Sequence, residues 1–121
     1  MPKTRALILD AREKNEFEVS HIKGAIHIGF EKFDLQKTLR KIKNKSQPIV
    51  VYCTLGVRSE DIAEKLKEAG YTDVKNLYGG IVEWKNNDFR VYDTNEEQTE
   101  NVHVCNVYWS QWLLKGVKIY D

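Results

Sequence analysis

The feature that most constrains this chain is the run Ile49-Val50-Val51-Tyr52, which leads directly into Cys53. A continuous apolar run rich in β-branched residues is typical of a strand that is covered on both faces. After a short loop, a helix is predicted to begin near Ser59 and to end at Gly70, where a glycine is the usual terminator. Strand, loop and helix in this order place Cys53 at the carboxyl end of the most buried strand.

The same alternation of strands and helices extends through residue 85. An amphipathic helix is predicted over residues 30–42, because its apolar side chains recur at helical spacing. We therefore predict an α/β fold, with a central, mainly parallel sheet of four to five strands and helices on both faces. Three further strands are predicted at residues 6–9, 25–28 and 74–78.

Composition narrows the choice of partners and location. The 19 basic and 18 acidic residues nearly cancel, so nothing in the charge favours nucleic acid or a membrane as a partner. The N-terminal apolar stretch ends at Leu9, which is too short for a secretory signal or a membrane span, and we expect a cytoplasmic protein. The two cysteines, Cys53 and Cys105, are too few for a disulfide framework and lack the paired spacing of a zinc site.

The loop from Cys53 to Arg58 has the features of an anion-binding site. A loop that enters a helix N-terminus can direct several N–H groups toward one point, and Gly56 lets this loop close tightly. Arg58 adds a permanent cation. These features would stabilise a thiolate or a negatively charged persulfide, which makes Cys53 a candidate nucleophile. The alternative is a cysteine that only packs as a small hydrophobe.

Four motifs, in order, resemble the rhodanese-like family. They are the opening Ile8-Leu9-Asp10-Ala11-Arg12-Glu13 followed by Glu16-Phe17, the segment His21-Ile22-Lys23-Gly24-Ala25-Ile26, the loop Val51-Tyr52-Cys53-Thr54-Leu55-Gly56-Val57-Arg58-Ser59, and the closing motifs Gly70-Tyr71 and Leu77-Tyr78-Gly79-Gly80 with Trp84. The resemblance implies a rhodanese-like fold. Residues 1–92 would form that domain, and residues 93–121 a C-terminal extension packed on the same domain.

The resemblance also implies sulfurtransferase chemistry. Cys53 would take a sulfane sulfur from a donor such as thiosulfate and pass it to a thiol or cyanide, in two covalent steps. Asp10 and Arg12 would support the loop, and no metal or organic cofactor is implied. A sulfur-relay protein is a further candidate partner. The residues expected to bind substrate are Thr54, Leu55, Gly56, Val57, Arg58 and Ser59.

Two other functions compete with this one. A non-catalytic rhodanese-like binding module would share the fold, although members of that class often lack the cysteine that this chain keeps. Phosphatases and arsenate reductases related to the family use a Cys-x5-Arg loop that wraps a tetrahedral anion. Only four residues separate Cys53 from Arg58 here, and the tighter loop suits a sulfur atom better.

The C-terminal extension raises separate expectations. Many family members have a strand and a helix before the first motif, and this chain begins almost at that motif. A predicted strand at residues 117–120 could fill the vacated edge of the sheet. Cys105 could form a disulfide with Cys53, but the simpler expectation is that it packs within the extension. His21 and His27 are expected to be structural, and the core is expected to include Trp84, Trp109 and Trp112.

Overall fold

The computed structural model describes residues 5–121 of the chain. The first eight elements are β1 (Leu7–Asp10), α1 (Lys14–Val19), β2 (Ile26–His27), α2 (Leu35–Lys41), β3 (Ile49–Tyr52), α3 (Val57–Glu68), β4 (Val74–Asn76) and α4 (Gly80–Asn86). They are followed by β5 (Val91–Tyr92), β6 (Gln98–Thr99), β7 (Asn101–His103), α5 (Val107–Ser110) and β8 (Val117–Ile119).

A four-stranded parallel sheet forms the centre of the fold. Its strand order is β2-β1-β3-β4, and every neighbouring pair is parallel. In the register of the central pair, Leu9 lies opposite Val51 and Asp10 lies opposite Tyr52. The predicted α/β fold with a mainly parallel sheet is confirmed. The carboxyl ends of β1 and β3, at Asp10 and Tyr52, therefore lie at the same edge of the sheet.

Two apolar clusters cover the two faces of the sheet, because successive residues of a strand point to opposite sides. Ile49 and Val51 belong to a cluster that includes Ile62 and Leu66 of α3. Tyr52, one residue later, belongs to the opposite cluster. Its other buried members come from the region before β2, from α4 and from the C-terminal region: Ile22, Ile81, Val82, Val91, Val102, Val104 and Leu113.

The C-terminal strands pair with each other and not with the main sheet. β5 and β6 form an antiparallel pair, and β7 pairs with β8 in parallel. The hypothesis that residues 117–120 fill an edge of the main sheet is therefore wrong. The strand at Val117–Ile119 exists, but its backbone partner is Asn101–His103, which lies in the extension itself.

Two further predictions are corrected. The helix expected over residues 30–42 begins only at Leu35, because the Asp34 side chain accepts a hydrogen bond from the Lys37 N–H and so caps the helix there. Trp112, expected in the core, is 53% exposed, since α5 ends before it and its helical spacing is not realised. None of the helices in the described part of the chain has the length and apolar character needed to cross a membrane.

Candidate active site

Cys53 lies at the carboxyl end of β3, and its side chain has no exposed surface. Two backbone N–H groups converge on its sulfur: that of Gly56, at 3.1 Å, and that of Ser59, at 3.4 Å. Ser59 belongs to the first turn of α3, a helix of 12 residues, so the positive end of the helix faces the sulfur. This arrangement stabilises negative charge on the sulfur atom.

The loop folds this way because glycine stands at two positions that a side chain would disturb. Gly56 caps α3 with φ of 100°, a left-handed conformation that glycine adopts without steric cost. Gly80 begins α4 with φ of 60°, and a Cβ there would lie 2.4 Å from the carbonyl oxygen of Cys53. This close approach lets the N–H groups of Ile81 and Val82 donate to the carbonyl oxygens of Cys53 and Thr54.

The side chains of Ser59 and Asn76 form a short hydrogen-bond relay next to the sulfur. The Ser59 hydroxyl oxygen lies 3.3 Å from Cys53 Sγ and 2.5 Å from Asn76 Oδ1. Asn76 donates its own N–H to the carbonyl oxygen of Gly56, which fixes the direction of its amide. A hydroxyl has one hydrogen, so Ser59 can donate either to the amide oxygen or to the sulfur. A negatively charged sulfur would favour the second choice.

Arg58 is held by a buried carboxylate for which the sequence predicted no role. Its guanidinium donates to both carboxylate oxygens of Glu16, at 2.8 and 2.9 Å, and to the Thr54 hydroxyl at 2.7 Å. Thr54 in turn donates to Glu16. Burial alone would raise the pKa of Glu16, but the hydrogen bonds and charge of Arg58 outweigh it and lower the pKa to about 2. The cation expected to bind substrate is thus already paired.

Asp10 and Arg12 form a second buried ion pair at the end of β1. Arg12 donates to both oxygens of Asp10 and to the carbonyl oxygen of Ser20. Tyr52, the residue before Cys53, donates its hydroxyl to Asp10 at 2.6 Å and accepts from the Ile22 N–H. Burial and the Asp10 charge raise the pKa of Tyr52, so its hydroxyl keeps its hydrogen. These contacts join the ends of β1 and β3 and fix the start of the loop.

The two histidines expected to be structural also make contacts with the backbone. His21 is buried, and its Nδ1 lies 3.1 Å from the carbonyl oxygen of Phe17. His27 Nε2 lies 2.7 Å from the carbonyl oxygen of Arg12. Both rings therefore hold segments around the end of β1, and neither contacts the sulfur of Cys53.

The C-terminal extension forms a wall beside Arg58. A cavity of about 290 Å³ is lined by Arg58 and Glu16 together with His103 and Cys105. His103 Nδ1 accepts the Cys105 N–H, so its Nε2 carries the hydrogen that is donated to Asp121. Cys105 is only partly buried and faces this cavity, whereas the sequence analysis expected it to pack within the extension. Burial and the Glu16 charge raise the pKa of its thiol.

The structure brings most of the predicted site residues together, but in different roles. Gly56 and Ser59 contact the sulfur, while Thr54 and Arg58 face Glu16. Leu55 and Val57 instead line a separate cavity on the other side of the loop. Asp10 and Arg12 lie at the end of β1, where Asp10 accepts the hydroxyl of Tyr52, the residue before Cys53.

Two residues of the site were given no role from the sequence. Glu16 lies in a short polar helix whose charged residues all look like those of a solvent-exposed face. Asn76 ends a strand and belongs to none of the sequence motifs. Both are placed at the site by contacts across the fold. Within residues 5–121, no group of three or more metal-binding side chains is brought together.

Comparison with known proteins places this geometry in a family. Residues 1–87 match the family described as Rhodanese-like domain. The chain is 37% identical over 79 residues to the thiosulfate sulfurtransferase GlpE of Coxiella burnetii, across 65% of this chain and 71% of that protein. It is 40% identical over 85 residues to a tRNA uridine(34) hydroxylase of Bacillus cereus, of which the match covers only 27%.

A solved structure shows the same architecture. The crystal structure of the BH2092 protein from Bacillus halodurans superimposes with a TM-score of 0.65 at 27% identity. The match covers 74% of this chain and 64% of that one, so the chain spans slightly less than two thirds of this neighbour. The family match extends over the strand, the loop and the helix that surround Cys53. The chain belongs to the Rhodanese-like domain family.

Proposed function

We propose that the protein is a sulfurtransferase that carries a sulfane sulfur on Cys53. With thiosulfate as donor, the Cys53 thiolate attacks the outer sulfur, the S–S bond of thiosulfate breaks, and sulfite leaves with the electron pair. The product is a persulfide anion on Cys53. An acceptor thiolate or cyanide then attacks the terminal sulfur, and the Cys53 thiolate is released.

The observation that carries this proposal is the convergence of the Gly56 and Ser59 N–H groups on Cys53 Sγ, at 3.1 and 3.4 Å. These donors are fixed by the fold before any substrate binds, so they stabilise charge on sulfur without reorganisation. The loop that supplies them has four residues between Cys53 and Arg58. The 37% identity to a protein named thiosulfate sulfurtransferase supports the same chemistry.

Two features of the site bear on donor binding. Arg58 is matched in charge by Glu16, so an anionic donor that uses Arg58 must compete with that carboxylate. Cys53 has no exposed surface, so the donor must displace a neighbouring side chain to reach it. The loop N–H groups and the N-terminus of α3 are the anion-binding features that remain free of a carboxylate partner.

Mass spectrometry of the intact protein tests the proposal. After incubation with thiosulfate and removal of the excess, the wild type should gain the mass of one sulfur atom. Cys53→Ser should gain nothing. Cys105→Ser is the matched control, because it removes the chain's other cysteine and should load normally. Loading that follows Cys105 would refute the assignment, and no loading with any sulfane donor would favour a non-catalytic binding module.

A cytoplasmic location goes with this proposal. Both cysteines are free thiols in the structure, and a reducing compartment would keep Cys53 available as a nucleophile. Fractionation of the source cells, followed by detection of the protein with an antibody, checks this part.

A further inference from the structure

A cavity of about 530 Å³ lies on the side of the active-site loop away from Arg58. It reaches Gly56, the residue whose N–H binds the Cys53 sulfur. Besides Leu55 and Val82, it is lined by four exposed apolar side chains from the loop, from the turn before α4 and from the C-terminal extension. They are Val57, Tyr78, Trp112 and Leu114. We call this cavity the loop groove.

These four apolar side chains of the loop groove are open to solvent. Tyr78 is 87% exposed and Trp112 is 53% exposed, and Val57 and Leu114 are exposed as well. Scattered apolar residues on a surface need no explanation, but exposed apolar side chains that line one cavity next to the active-site loop are typical of an interaction site. Exposed tyrosine and tryptophan are also the residue types that contribute most to binding at protein interfaces.

The polar groups of the loop groove restrict what can bind there. Asn76 is already bonded to Gly56 and Ser59, and Asn86 is bonded to the backbone of the extension. The charged side chains that line the groove are Glu60 and Glu83, and neither forms an ion pair with any residue from 5 to 121. An occupant therefore meets apolar surface and two unpaired carboxylates, which favours a basic partner over an acidic one.

We propose that the loop groove binds a polypeptide segment that presents the acceptor cysteine, and that this segment is apolar and carries a basic side chain. The inference rests on the proposed sulfur transfer for its purpose, but the binding itself does not depend on that chemistry. A simple thiol fills little of a 530 Å³ cavity and needs no aromatic anchor, whereas a peptide segment covers the whole patch. The sulfur would then pass to the segment beside Gly56.

Peptide binding tests the groove without any sulfur chemistry. The probes are short synthetic peptides with serine in place of the acceptor cysteine: one with leucine, phenylalanine and lysine, one with glutamate replacing lysine, and one with serine replacing the apolar residues. Fluorescence anisotropy on the unloaded protein should show the first peptide binding at least about tenfold more tightly than the other two. Equal or undetectable binding of all three would overturn the proposal.

A matched pair of tyrosine variants locates the binding. Tyr78→Ala removes an exposed aromatic side chain that lines the groove. Tyr108→Ala removes a tyrosine that is 71% exposed and lies on the extension, outside the groove lining. We expect Tyr78→Ala to weaken binding of the first peptide about tenfold and Tyr108→Ala to leave it unchanged. Glu60→Gln combined with Glu83→Gln should remove the preference for lysine over glutamate. An equal effect of the two tyrosine variants would sink the proposal.

Cysteine-containing versions of the same peptides connect binding to transfer. With persulfide-loaded protein, Tyr78→Ala should load normally from thiosulfate but deliver sulfur to the apolar, basic peptide about tenfold more slowly. If Tyr78→Ala instead abolishes a dimer seen by sedimentation of the wild type, the groove holds a second copy and the proposal is wrong. Absence of loading with intact peptide binding would refute the proposed function alone.

Discussion

Replacing Glu16 by glutamine tests the ion pair that holds Arg58 against the active-site loop. Glutamine keeps the size of the side chain but not its charge, so it imitates the protonated carboxyl group. The pKa of Glu16 falls from its ordinary value of 4.5 to about 2 in the folded protein. At about 1.4 kcal/mol for each pH unit, this difference corresponds to about 3 kcal/mol of folding free energy.

The pH dependence follows from the sign of that difference. The folded state binds the proton more weakly than the unfolded state, so the stabilisation is fully present above pH 4.5 and is lost as the pH falls toward 2. Urea unfolding, followed by tryptophan fluorescence, should therefore show Glu16→Gln to be less stable than the wild type by about 3 kcal/mol at pH 7. The two stability curves should converge near pH 2.

Glu18→Gln is the matched control, because Glu18 lies on the same helix but is exposed and forms no ion pair with a described residue. It should follow the wild type at every pH. If the wild type and Glu16→Gln lose stability in parallel between pH 4.5 and 2, the pairing of Glu16 with Arg58 does not stabilise the folded state. Glu16 would then not be what holds Arg58 against the active-site loop.

Three further substitutions test the supports of the loop. An alanine in the left-handed conformation costs about 1–2 kcal/mol. Gly80→Ala should destabilise the protein by more than this, because the added Cβ would clash with backbone oxygens. Gly24→Ala, with φ of 80° and open space around it, should cost only the left-handed strain when both variants are measured by urea unfolding. Tyr52→Phe removes the hydroxyl bonded to Asp10 and should lower the unfolding free energy by about 2 kcal/mol in the same assay. Asn76→Ala frees the serine hydroxyl and the glycine carbonyl beside the sulfur, and should slow persulfide loading about tenfold in a time course by mass spectrometry; an unchanged rate would show that the relay is not needed.

The sheet and the position of Cys53 could be predicted because the signals are local. The run Ile49–Tyr52 is apolar at every position, and a strand covered on both faces has few other interpretations. The loop and the start of α3 follow directly in sequence. Since parallel strands end at one edge, the site at that edge follows from topology alone.

The supports of the site could not be predicted because they depend on contacts between distant residues. Glu16 and Arg58 are 42 positions apart, and the Ser59 hydroxyl meets Asn76 across 17 positions. No periodicity in the sequence indicates which exposed-looking carboxylate turns inward. The prediction that Trp112 of the extension lies in the core failed for a related reason. Helical spacing predicts which residues share a face, but not whether the helix continues.

The contact between α4 and the active-site loop gives the carbonyl groups and the N–H groups of the loop different partners. The N–H groups of Ile81 and Val82 occupy the carbonyl oxygens of Cys53 and Thr54 from outside, which leaves the loop N–H groups of Gly56 and Ser59 pointing inward. The resting form and the proposed sulfur-loaded form would therefore share one backbone conformation. A sulfur atom would be added and removed repeatedly on a frame that does not have to refold at each turnover.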